Sequence, residues 1–475
     1  MKLRVRRIDF YRTDMETRFP FRYGIASVSE FPHLMVHADV EIDGQHCSGV
    51  AADGLPPKWF TKNPDTSYEE DDLPAMLRVI RHAADLAIEL NWQPSLFQWW
   101  WELYNAQQAW ARDQAVPPLL AGFGTSLMER AVIDAVCRQQ QTTLFDALRS
   151  NLFEIDLGAM RSTLDSCRLE DVLLKKPLES VRIRHTIGLG DPLTDAEIGA
   201  EDQVNDGLPH SLIANIREYD LKYFKIKLSG NSQQDGERLS ELAAILRTEV
   251  GAATRFTLDG NEQYRDIHTF RDGWEQIRSN QSVREMIDRF LIFVEQPLHR
   301  DQALDPSVKD ALQNWPDAPP IIIDESDADL DSLPTALELG YSGASHKNCK
   351  GVIKSVANVA MISRRSTFTA PLVLSAEDLA NVGPVALLQD LAVVSALGMK
   401  HVERNGHHYF AGLSMFPESL QNRVVADHGD LYRWHEGGFA ALAPENGNLN
   451  LGSINRAPFG LAHLPDLSLL SGWDF

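Results

Sequence analysis

Residues 320–326 read PIIIDES, a run of branched apolar residues that ends in two carboxylates. A short apolar run bounded by proline and polar residues is typical of a β-strand. The same arrangement occurs upstream in LIFVEQP (291–297) and downstream in GASHK (343–347). Helix-like segments separate these runs at the spacing of βα units. We therefore predict consecutive βα units around this stretch.

The alternation of strand-like and helix-like runs extends from about residue 180 to residue 410. Most strand candidates are followed by an amphipathic segment, most clearly over 235–250 and 384–397. Eight such units predict a TIM-type β/α barrel as the catalytic domain over 180–410. The eight strand candidates are Val181–Ile187, Tyr223–Leu228, Arg255–Leu258, Leu291–Val294, Pro320–Ile323, Gly343–His346, Leu372–Leu374 and His401–Arg404.

The first 150 residues are organised differently. Leu3–Tyr11 and Leu34–Ile42 alternate in polarity, and Asp43-Gly44 marks a turn before a returning strand. Helical spacing follows over 73–90, 97–111 and 126–139. Strands followed by helices predict an α+β capping domain over 1–150, with a helical insertion. Residues 411–475 are rich in Gly, Asn and Pro, and we predict that they return to this domain.

Composition excludes several classes of protein. The net charge of −22 disfavours nucleic acid and anionic membranes as partners. The four cysteines are scattered, which argues against a zinc site or a disulfide framework. The N-terminus lacks the apolar core of a signal peptide, and no apolar stretch reaches 18 residues. We therefore expect a soluble, cytoplasmic protein.

Charged side chains end the apolar run in each predicted strand from the second to the sixth. The five strand ends read KIK (225–227), DGN (259–261), EQP (295–297), DES (324–326) and HKN (346–348). The C-terminal ends of parallel barrel strands meet at one face, where the active sites of such barrels lie. The sequence thus predicts one site in which three carboxylates are flanked by lysines.

The three carboxylates, Asp259, Glu295 and Asp324, require a cation if they converge. Without one, mutual repulsion would raise their pKa values. A hard divalent ion with few protein ligands is typical of Mg²⁺, with Mn²⁺ as the alternative. We therefore predict a Mg²⁺ site at this end of the barrel.

Lys225 and Lys227 have the two-residue spacing that directs both side chains to the same side of a strand. A lysine beside a metal lies in an electropositive field, which lowers its pKa and provides a neutral amine as a base. The metal would stabilise the enediolate that forms when a carboxylate substrate loses its α-proton. Metal and base together predict proton abstraction next to a carboxylate.

The ordered motifs KIK, LDGN, FVEQPL, IIIDES and HKNCKG resemble the enolase superfamily, in which a Lys or His base works with Mg²⁺. The resemblance covers about residues 30–410 and is strongest over 223–352. It implies that Asp259, Glu295 and Asp324 are the metal ligands. It also implies that the first domain caps the barrel and selects the substrate through its loops.

By the same resemblance, Lys227 would be the base on one face of the substrate carbon, with Lys225 assisting. Lys347 would be the acid or base on the other face. This lysine–lysine pattern is similar to the mandelate racemase/muconate lactonizing enzyme branch, which contains racemases, epimerases, cycloisomerases and syn-eliminases. The resemblance implies a metal-dependent isomerase or lyase that acts on a small carboxylate as a homo-oligomer.

Five further residues are predicted to contact the substrate, from the capping loops or from the strand ends. For His185, a hydrogen-bonded structural role is the alternative. The lysine-bearing strand reads SHKNCKG instead of ending in a glycine pair, which leaves the substrate's identity open. The five are His185, Asn261, Glu325, Tyr23 and His407.

Two other functions remain open from the sequence. An acid-sugar dehydratase of the same superfamily would use a His–Asp pair from the sixth and seventh strands, where this chain has Lys347. A degenerate barrel would bind a metal or ligand without catalysis. The order and placement of the strand-end residues favour the lysine-based enzyme over both.

Overall fold

An antiparallel sheet begins the chain in the computed structural model, which describes residues 1–475. Its strands are β1 (Leu3–Tyr23), β2 (Ala26–Ile42) and β3 (Gln45–Gly54). The meander predicted for this region is present, and β1 and β2 are longer than the alternating runs indicated. Their ladder extends to the pair Tyr23↔Ala26. The tip of this long hairpin therefore reaches well beyond the sheet's third strand.

Helices cover one face of this sheet. One of them, α3, is buried over almost its whole length and packs directly on β3. A Cβ atom at Gly49 of β3 would lie 2.1 Å from the carbonyl oxygen of Ala131, so only glycine permits this close packing. The N-terminal helices are α1 (Leu73–Glu89), α2 (Leu96–Asp113), α3 (Pro118–Gln139), α4 (Leu144–Arg149), α5 (Leu157–Met160) and α6 (Leu169–Val172).

Eight parallel strands then form a closed barrel, in which the last strand pairs with the first. All eight predicted strands are present within two residues of their predicted bounds. The predicted fold class, an α+β capping domain with a TIM-type barrel, is confirmed. The strands are β4 (Ser180–Ile187), β5 (Tyr223–Lys227), β6 (Arg255–Asp259), β7 (Leu291–Glu295), β8 (Ile321–Ile323), β9 (Gly343–His346), β10 (Val373–Ala376) and β11 (His401–Arg404).

Four of the helices between the barrel strands begin at polar residues that cap them. The side chains of Ser211, Asn231, Asp266 and Asn280 each accept a backbone N–H in the first turn of the following helix. The helices between the strands are α7 (Leu212–Tyr219), α8 (Ser232–Glu249), α9 (Ile267–Ser279), α10 (Gln281–Phe290), α11 (Arg300–Ala303), α12 (Ser307–Gln313), α13 (Ser332–Leu339), α14 (Val352–Arg365) and α15 (Ala386–Leu397).

The remaining residues contact both parts of the molecule. They form α16 (Gly406–Tyr409), α17 (Glu418–Asp427), β12 (Tyr432–Trp434), β13 (Ala440–Leu442), β14 (Asn448–Asn450), α18 (Gly452–Arg456) and β15 (Ser471–Gly472). Strand β14 pairs with barrel strand β4, and β15 pairs with β1 of the N-terminal sheet. Buried apolar side chains form one continuous core through both domains. None of the helices has the length and apolar character needed to cross a membrane.

Candidate active site

The lysines and carboxylates predicted to act in the reaction lie together at the C-terminal end of the barrel. The strand ladders place Lys227 of β5 opposite Asp259 of β6, and Asp259 opposite Glu295 of β7. Lys225, two residues before Lys227, is on the same side of its strand, as predicted from the spacing. All four side chains are buried. Consecutive strand ends therefore bring two lysines and two carboxylates to one level of the barrel.

Lys225 lies at the centre of a group of carboxylates. Its ammonium nitrogen is 2.8 Å from Glu295, 2.9 Å from Asp259, 2.9 Å from Glu377 and 3.1 Å from Glu403. Burial alone would lower the pKa of Lys225, but these carboxylates outweigh burial and hold its pKa well above the usual value. Lys225 is therefore a buried counter-ion shared by four acidic side chains.

Lys227 contacts the same carboxylate oxygen of Asp259 as Lys225 does. Its ammonium nitrogen donates to an oxygen of Asp259 at 2.6 Å, and the other oxygen accepts the backbone N–H of Asn261 at 2.9 Å. Burial would raise the pKa of Asp259, but Lys225 and Lys227 outweigh burial and lower it. Asp259 is thus held ionised by two lysines.

A second lysine group lies at the end of β9. The ammonium of Lys347 is 2.5 Å from one oxygen of Asp324, and that of Lys350 is 2.7 Å from the other. Burial opposes the charge on Lys347, but Asp324 outweighs burial and raises the lysine pKa. This direction is opposite to the lowered pKa that we predicted for a lysine in a metal's field. A neutral amine here therefore requires another cation on the carboxylate.

The donor atoms near β7 fit a hard divalent cation. Both carboxylate oxygens of Glu295 are buried and accept no hydrogen bond, although the Lys225 ammonium lies 2.8 Å from one of them. Burial, Asp259 and Glu377 together raise the pKa of Glu295 well above its usual value. Carboxylate oxygens are the ligands that Mg²⁺ prefers. A bound Mg²⁺ would provide positive charge beside these unpaired carboxylate oxygens.

The predicted metal ligands are neutralised by lysines in this structure. The structure contains no group of three His, Cys, Asp or Glu side chains placed as metal ligands. Asp259 and Glu295 face Lys225, while Asp324 faces Lys347 and Lys350. The three carboxylates thus occupy neighbouring strand ends, as predicted, with lysines as their counter-ions.

Sequence reasoning missed several residues of this centre. Glu377 directly follows β10 and Glu403 is within β11. The pattern of a charged residue at the end of a strand therefore continues into the last two strands, and it is the signal in the sequence that points to both. Lys350 was missed because it follows β9 in a helical turn, where strand periodicity gives no signal.

A small cavity of about 40 Å³ lies between the barrel end and the capping domain. Lys227 and Lys347 both line it, from strands separated by three others in the barrel. Aromatic side chains of the capping domain form its opposite side. The Lys347 ammonium lies 4.6 Å from the ring centre of Trp59, within cation–π range. The lining residues are Phe21, Tyr23, Pro56, Trp59, Lys227, Asn261, Lys347, Asp378, Leu379, Ala380, Glu403 and Asn405.

Two of the five predicted substrate contacts line the cavity, and three do not. Asn261 and Tyr23 line the cavity, and the Tyr23 hydroxyl also donates to the carbonyl of Pro57 at 2.8 Å. His185, His407 and Glu325 are not among its lining residues. Nδ1 of His185 and Nε2 of His407 are hydrogen-bonded to each other at 3.0 Å. Glu325 is buried, and burial together with Asp324 raises its pKa to about 7.

The loop that carries Trp59 is fastened to the barrel by Arg300. The guanidinium donates to the carbonyls of Trp59 and Phe60, each at 2.8 Å, and to both carboxylate oxygens of Glu262. Lys62 of the same loop lies 3.3 Å from Glu262, whose side chain is fully buried. We call Arg300, Glu262 and Lys62 the clasp. It fixes the position of the loop over the cavity.

The extended part of the β1–β2 hairpin is also fastened to the barrel. The guanidinium of Arg18 donates to Asp206 and to the backbone carbonyls of Leu208, Pro209 and His408. Arg18 is almost fully buried, with 2 % of its side chain exposed. Both capping loops are therefore held on the barrel through an arginine, Arg18 being buried and Arg300 partly buried.

The capping domain also supports the segment that follows Lys347. Glu129 of α3 accepts the backbone N–H groups of Val352 and Ile353, which begin α14, at 3.2 and 2.6 Å. A carboxylate at a helix N-terminus satisfies otherwise unpaired donors. Gly351 precedes them with a φ of +100°, a conformation that favours glycine. The backbone after Lys347 is thus fixed by a residue of the other domain.

Comparisons with known proteins show the fold. No protein-family model matches the chain, and no curated protein matches it in sequence. Solved structures do match. A mandelate racemase/muconate lactonizing enzyme from Bordetella bronchiseptica RB50 has a TM-score of 0.57 at 15% identity, with 98% of each chain covered.

Two other solved structures are similar. A dipeptide epimerase from Enterococcus faecalis V583, complexed with Mg and L-Leu-L-Tyr, has a TM-score of 0.56 at 13% identity, covering 86% of this chain and 92% of its own. An N-succinyl Arg/Lys racemase from Bacillus cereus ATCC 14579 has a TM-score of 0.56 at 15% identity, covering 96% and 97%. The chain therefore has the capping-domain and barrel fold of these solved structures.

Proposed function

We propose that the protein is an enolase-superfamily enzyme that removes the α-proton of a small carboxylate substrate with the help of Mg²⁺. The observation that carries this proposal is the pair of buried lysines, Lys227 and Lys347, that line one cavity from well-separated barrel strands. A substrate carbon between them would have an amine available on each face. The racemase and epimerase among the similar structures support the same reaction type.

Lys227 is the proposed base on one face of the substrate carbon. It is buried and lies at a strand end, so its ammonium or amine has few accessible positions. Its partner Asp259 holds it in place at 2.6 Å. Transfer of the α-proton to the Lys227 nitrogen leaves a negative charge on the substrate carboxylate. Lys225, which is shared by four carboxylates, is the proposed electrostatic partner that keeps this region of the site charged and dry.

Lys347 is the proposed acid or base on the other face. Trp59 covers it from the capping side and Asp324 contacts it from the barrel. Inversion of the substrate carbon needs both lysines, one to remove the proton and one to return it. Elimination or ring closure needs one lysine as the base, with the other as a cation near the developing charge.

Asp259, Glu295 and Asp324 would hold the Mg²⁺, and the buried, unbonded oxygens of Glu295 support this assignment. When bound, Mg²⁺ would supply positive charge that stabilises the enediolate form of the substrate. The carboxylates raise the pKa of Lys347 when lysines are their only counter-ions. We therefore expect activity to depend on the divalent cation, and Mn²⁺ to substitute for Mg²⁺.

The experiment that tests this function measures deuterium incorporation from D₂O at the α-carbon of a pooled set of N-acyl amino acids, dipeptides and acid sugars. We expect exchange that requires Mg²⁺ and stops with EDTA. In Lys227→Ala the exchange should fall by at least about 10²-fold, because a positioned base contributes that much or more. The matched control is Lys222→Ala, which removes an exposed lysine near the start of the same strand. Wild-type exchange in Lys227→Ala would refute the proposal.

A further inference from the structure

Three arginines line a second cavity, of about 620 Å³, between α13, α14 and the chain around Arg161. They are Arg161, Arg364 and Arg365. None of the residues that line this cavity belongs to the cavity of Lys227 and Lys347. A volume of this size is typical of small-molecule sites. The second cavity therefore has room for a ligand, and we call it the arginine cavity.

Arg161 is buried, with 6 % of its surface exposed, and its hydrogen bonding is incomplete. Its Nε and Nη2 atoms donate to the carbonyl of Leu330 at 3.0 and 2.7 Å, and Nη2 also donates to the side-chain oxygen of Asn358 at 2.6 Å. Nη1 has no hydrogen-bond partner. Burial lowers the pKa of Arg161, and the carboxylates of Asp327 and Asp331 do not outweigh burial. An unpaired nitrogen of a buried guanidinium is costly, so an anion here would stabilise the side chain.

Arg364 and Arg365 add exposed positive charge to the same cavity. Both are in the last turn of α14. Arg364 donates to the hydroxyl of Ser166 at 3.3 Å, which is a neutral partner. Neither of these arginines, nor Arg161, forms an ion pair with an acidic side chain. The arginine cavity thus holds three unpaired guanidinium groups in a protein whose net charge is −22.

The other polar residues of the lining are compatible with an anion. Asp331 and Glu338 are both exposed, and the arginines outnumber them. The hydroxyls of Ser162 and Thr163 also line the cavity and can donate hydrogen bonds to a ligand. A guanidinium presents its donors in a fork that matches a phosphate group. A phosphate offers three acceptor oxygens, where a carboxylate offers two, so it suits a site with several separate donors.

We propose that the arginine cavity binds the phosphate group of a small phosphorylated molecule. Arg161 is the buried anchor, and Arg364 and Arg365 contact the phosphate from the end of α14. The large volume leaves space for the rest of the molecule beside its phosphate.

Calorimetric titration with inorganic phosphate tests this site. The full-length protein is titrated at low ionic strength with EDTA present, so that no divalent cation takes part. We expect a dissociation constant of about 1 mM or lower, because hydrogen bonds between arginine and phosphate are charge-assisted. No binding at about ten times that concentration would overturn the proposal. Catalysis is not measured, so the result is independent of the proposed function.

An arginine pair variant locates the bound phosphate. Arg364→Gln/Arg365→Gln changes two exposed residues and should weaken phosphate binding by at least about ten-fold. The control, Arg265→Gln/Arg284→Gln, removes the same charge from exposed positions that line neither cavity, and should keep the wild-type affinity. Unchanged binding in the first pair, or an equal loss in both pairs, would contradict a specific site.

Two further variants separate the cavities. Arg161→Met should weaken phosphate binding by at least about ten-fold in a protein that circular dichroism shows to be folded, and the exposed pair decides if it does not fold. Lys227→Ala should bind phosphate as the wild type does. Loss of binding in Lys227→Ala, with wild-type affinity in Arg364→Gln/Arg365→Gln, would place the phosphate beside the lysines and overturn the proposal.

Acetate distinguishes a phosphate site from a carboxylate site. It carries one charge and two acceptor oxygens, so in the same titration it should bind at least about ten-fold more weakly than phosphate. Equal or tighter binding of acetate would overturn the assignment to a phosphate group.

Discussion

The two groups of lysines and carboxylates at the C-terminal end of the barrel are built in different ways. We call Lys225, Lys227 and Asp259 the first wall, and Lys347, Lys350 and Asp324 the second wall. The first wall is formed by two neighbouring barrel strands whose ladder fixes every side chain. The second wall begins at the end of β9 and continues into a helical turn. Its position depends on contacts beyond the barrel.

The capping domain accounts for this difference. Trp59 lies against the Lys347 ammonium, and Glu129 binds the start of α14, just after Lys350. Beside the first wall, Lys62 of the capping domain donates instead to the backbone carbonyl of Asn261, two residues after Asp259. A change in the capping domain should therefore disturb the second wall more than the first. Variants at three capping contacts test this comparison.

The largest effect is expected from Glu262→Gln, which removes the only acidic member of the clasp. Arg300 and Lys62 would be left without their buried counter-ion, a change that typically costs about 3 kcal/mol or more. The loop should then open, and tryptic cleavage after Lys58 and Lys62 should become at least about 100-fold faster. Mass spectrometry of a digestion time course measures this rate.

The control for the clasp is Glu249→Gln, which removes the partner of the exposed Arg217 and does not change the cavity lining. Its cleavage rate at Lys58 and Lys62 should equal that of the wild type. Circular dichroism would confirm that both variants are folded before digestion. An unchanged rate in Glu262→Gln would show that the clasp does not hold the loop closed.

A pH-dependent effect is expected from Glu129→Gln. Burial raises the pKa of Glu129 to about 7, above its ordinary value of 4.5. The folded state therefore binds this proton more tightly than the unfolded state does. The resulting stabilisation is complete below about pH 4.5 and is lost as the pH rises through about 7, by up to about 3 kcal/mol.

The measurement for Glu129 is urea unfolding of both proteins at several values between pH 4.5 and 8. The free energy of unfolding of the wild type should decrease more steeply with pH than that of Glu129→Gln, because the glutamine cannot ionise. Parallel pH profiles for the two proteins would contradict the raised pKa. Slower proton exchange in the variant at constant stability would show that α14 positions Lys347.

The smallest effect is expected from Trp59→Leu, which removes the aromatic face beside Lys347 and keeps an apolar side chain. The cation–π contact should be worth about 1 kcal/mol, so proton exchange should slow by about five-fold. Trp59→Phe keeps a ring and should recover most of the rate. Equal rates in the leucine and phenylalanine variants would rule out a role for the ring.

The fold could be predicted largely from the sequence because its signals are local. Each barrel strand is a run of three to eight residues that contains apolar positions, and most of these runs are recognisable in the sequence. The charged residues that end the second through sixth runs then lie at one end of the barrel by topology alone. For this reason strand periodicity and barrel topology suffice to predict that Lys225, Lys227 and Asp259 share one site.

The contacts between the domains could not be predicted in this way. Arg300, Glu262 and Trp59 are far apart in the chain, and no periodicity links them. Their association depends on how the capping domain packs on the barrel, which a single sequence does not specify. His185 and His407 show a different problem. Their positions near strand ends suggest substrate contact, but the same positions also suit a buried pair outside the cavity, which is what the structure has.

The most direct test of the account is stereospecific deuterium exchange with the substrate identified in the library experiment. Each enantiomer would be incubated in D₂O and Mg²⁺ with Lys227→Ala or Lys347→Ala. We expect each variant to lose exchange by at least about 10²-fold while its Mg²⁺ affinity is nearly unchanged, and, for an inverting enzyme, the two variants to lose opposite enantiomers. Wild-type exchange of both enantiomers by either variant would contradict the claim that the two lysines face one substrate carbon.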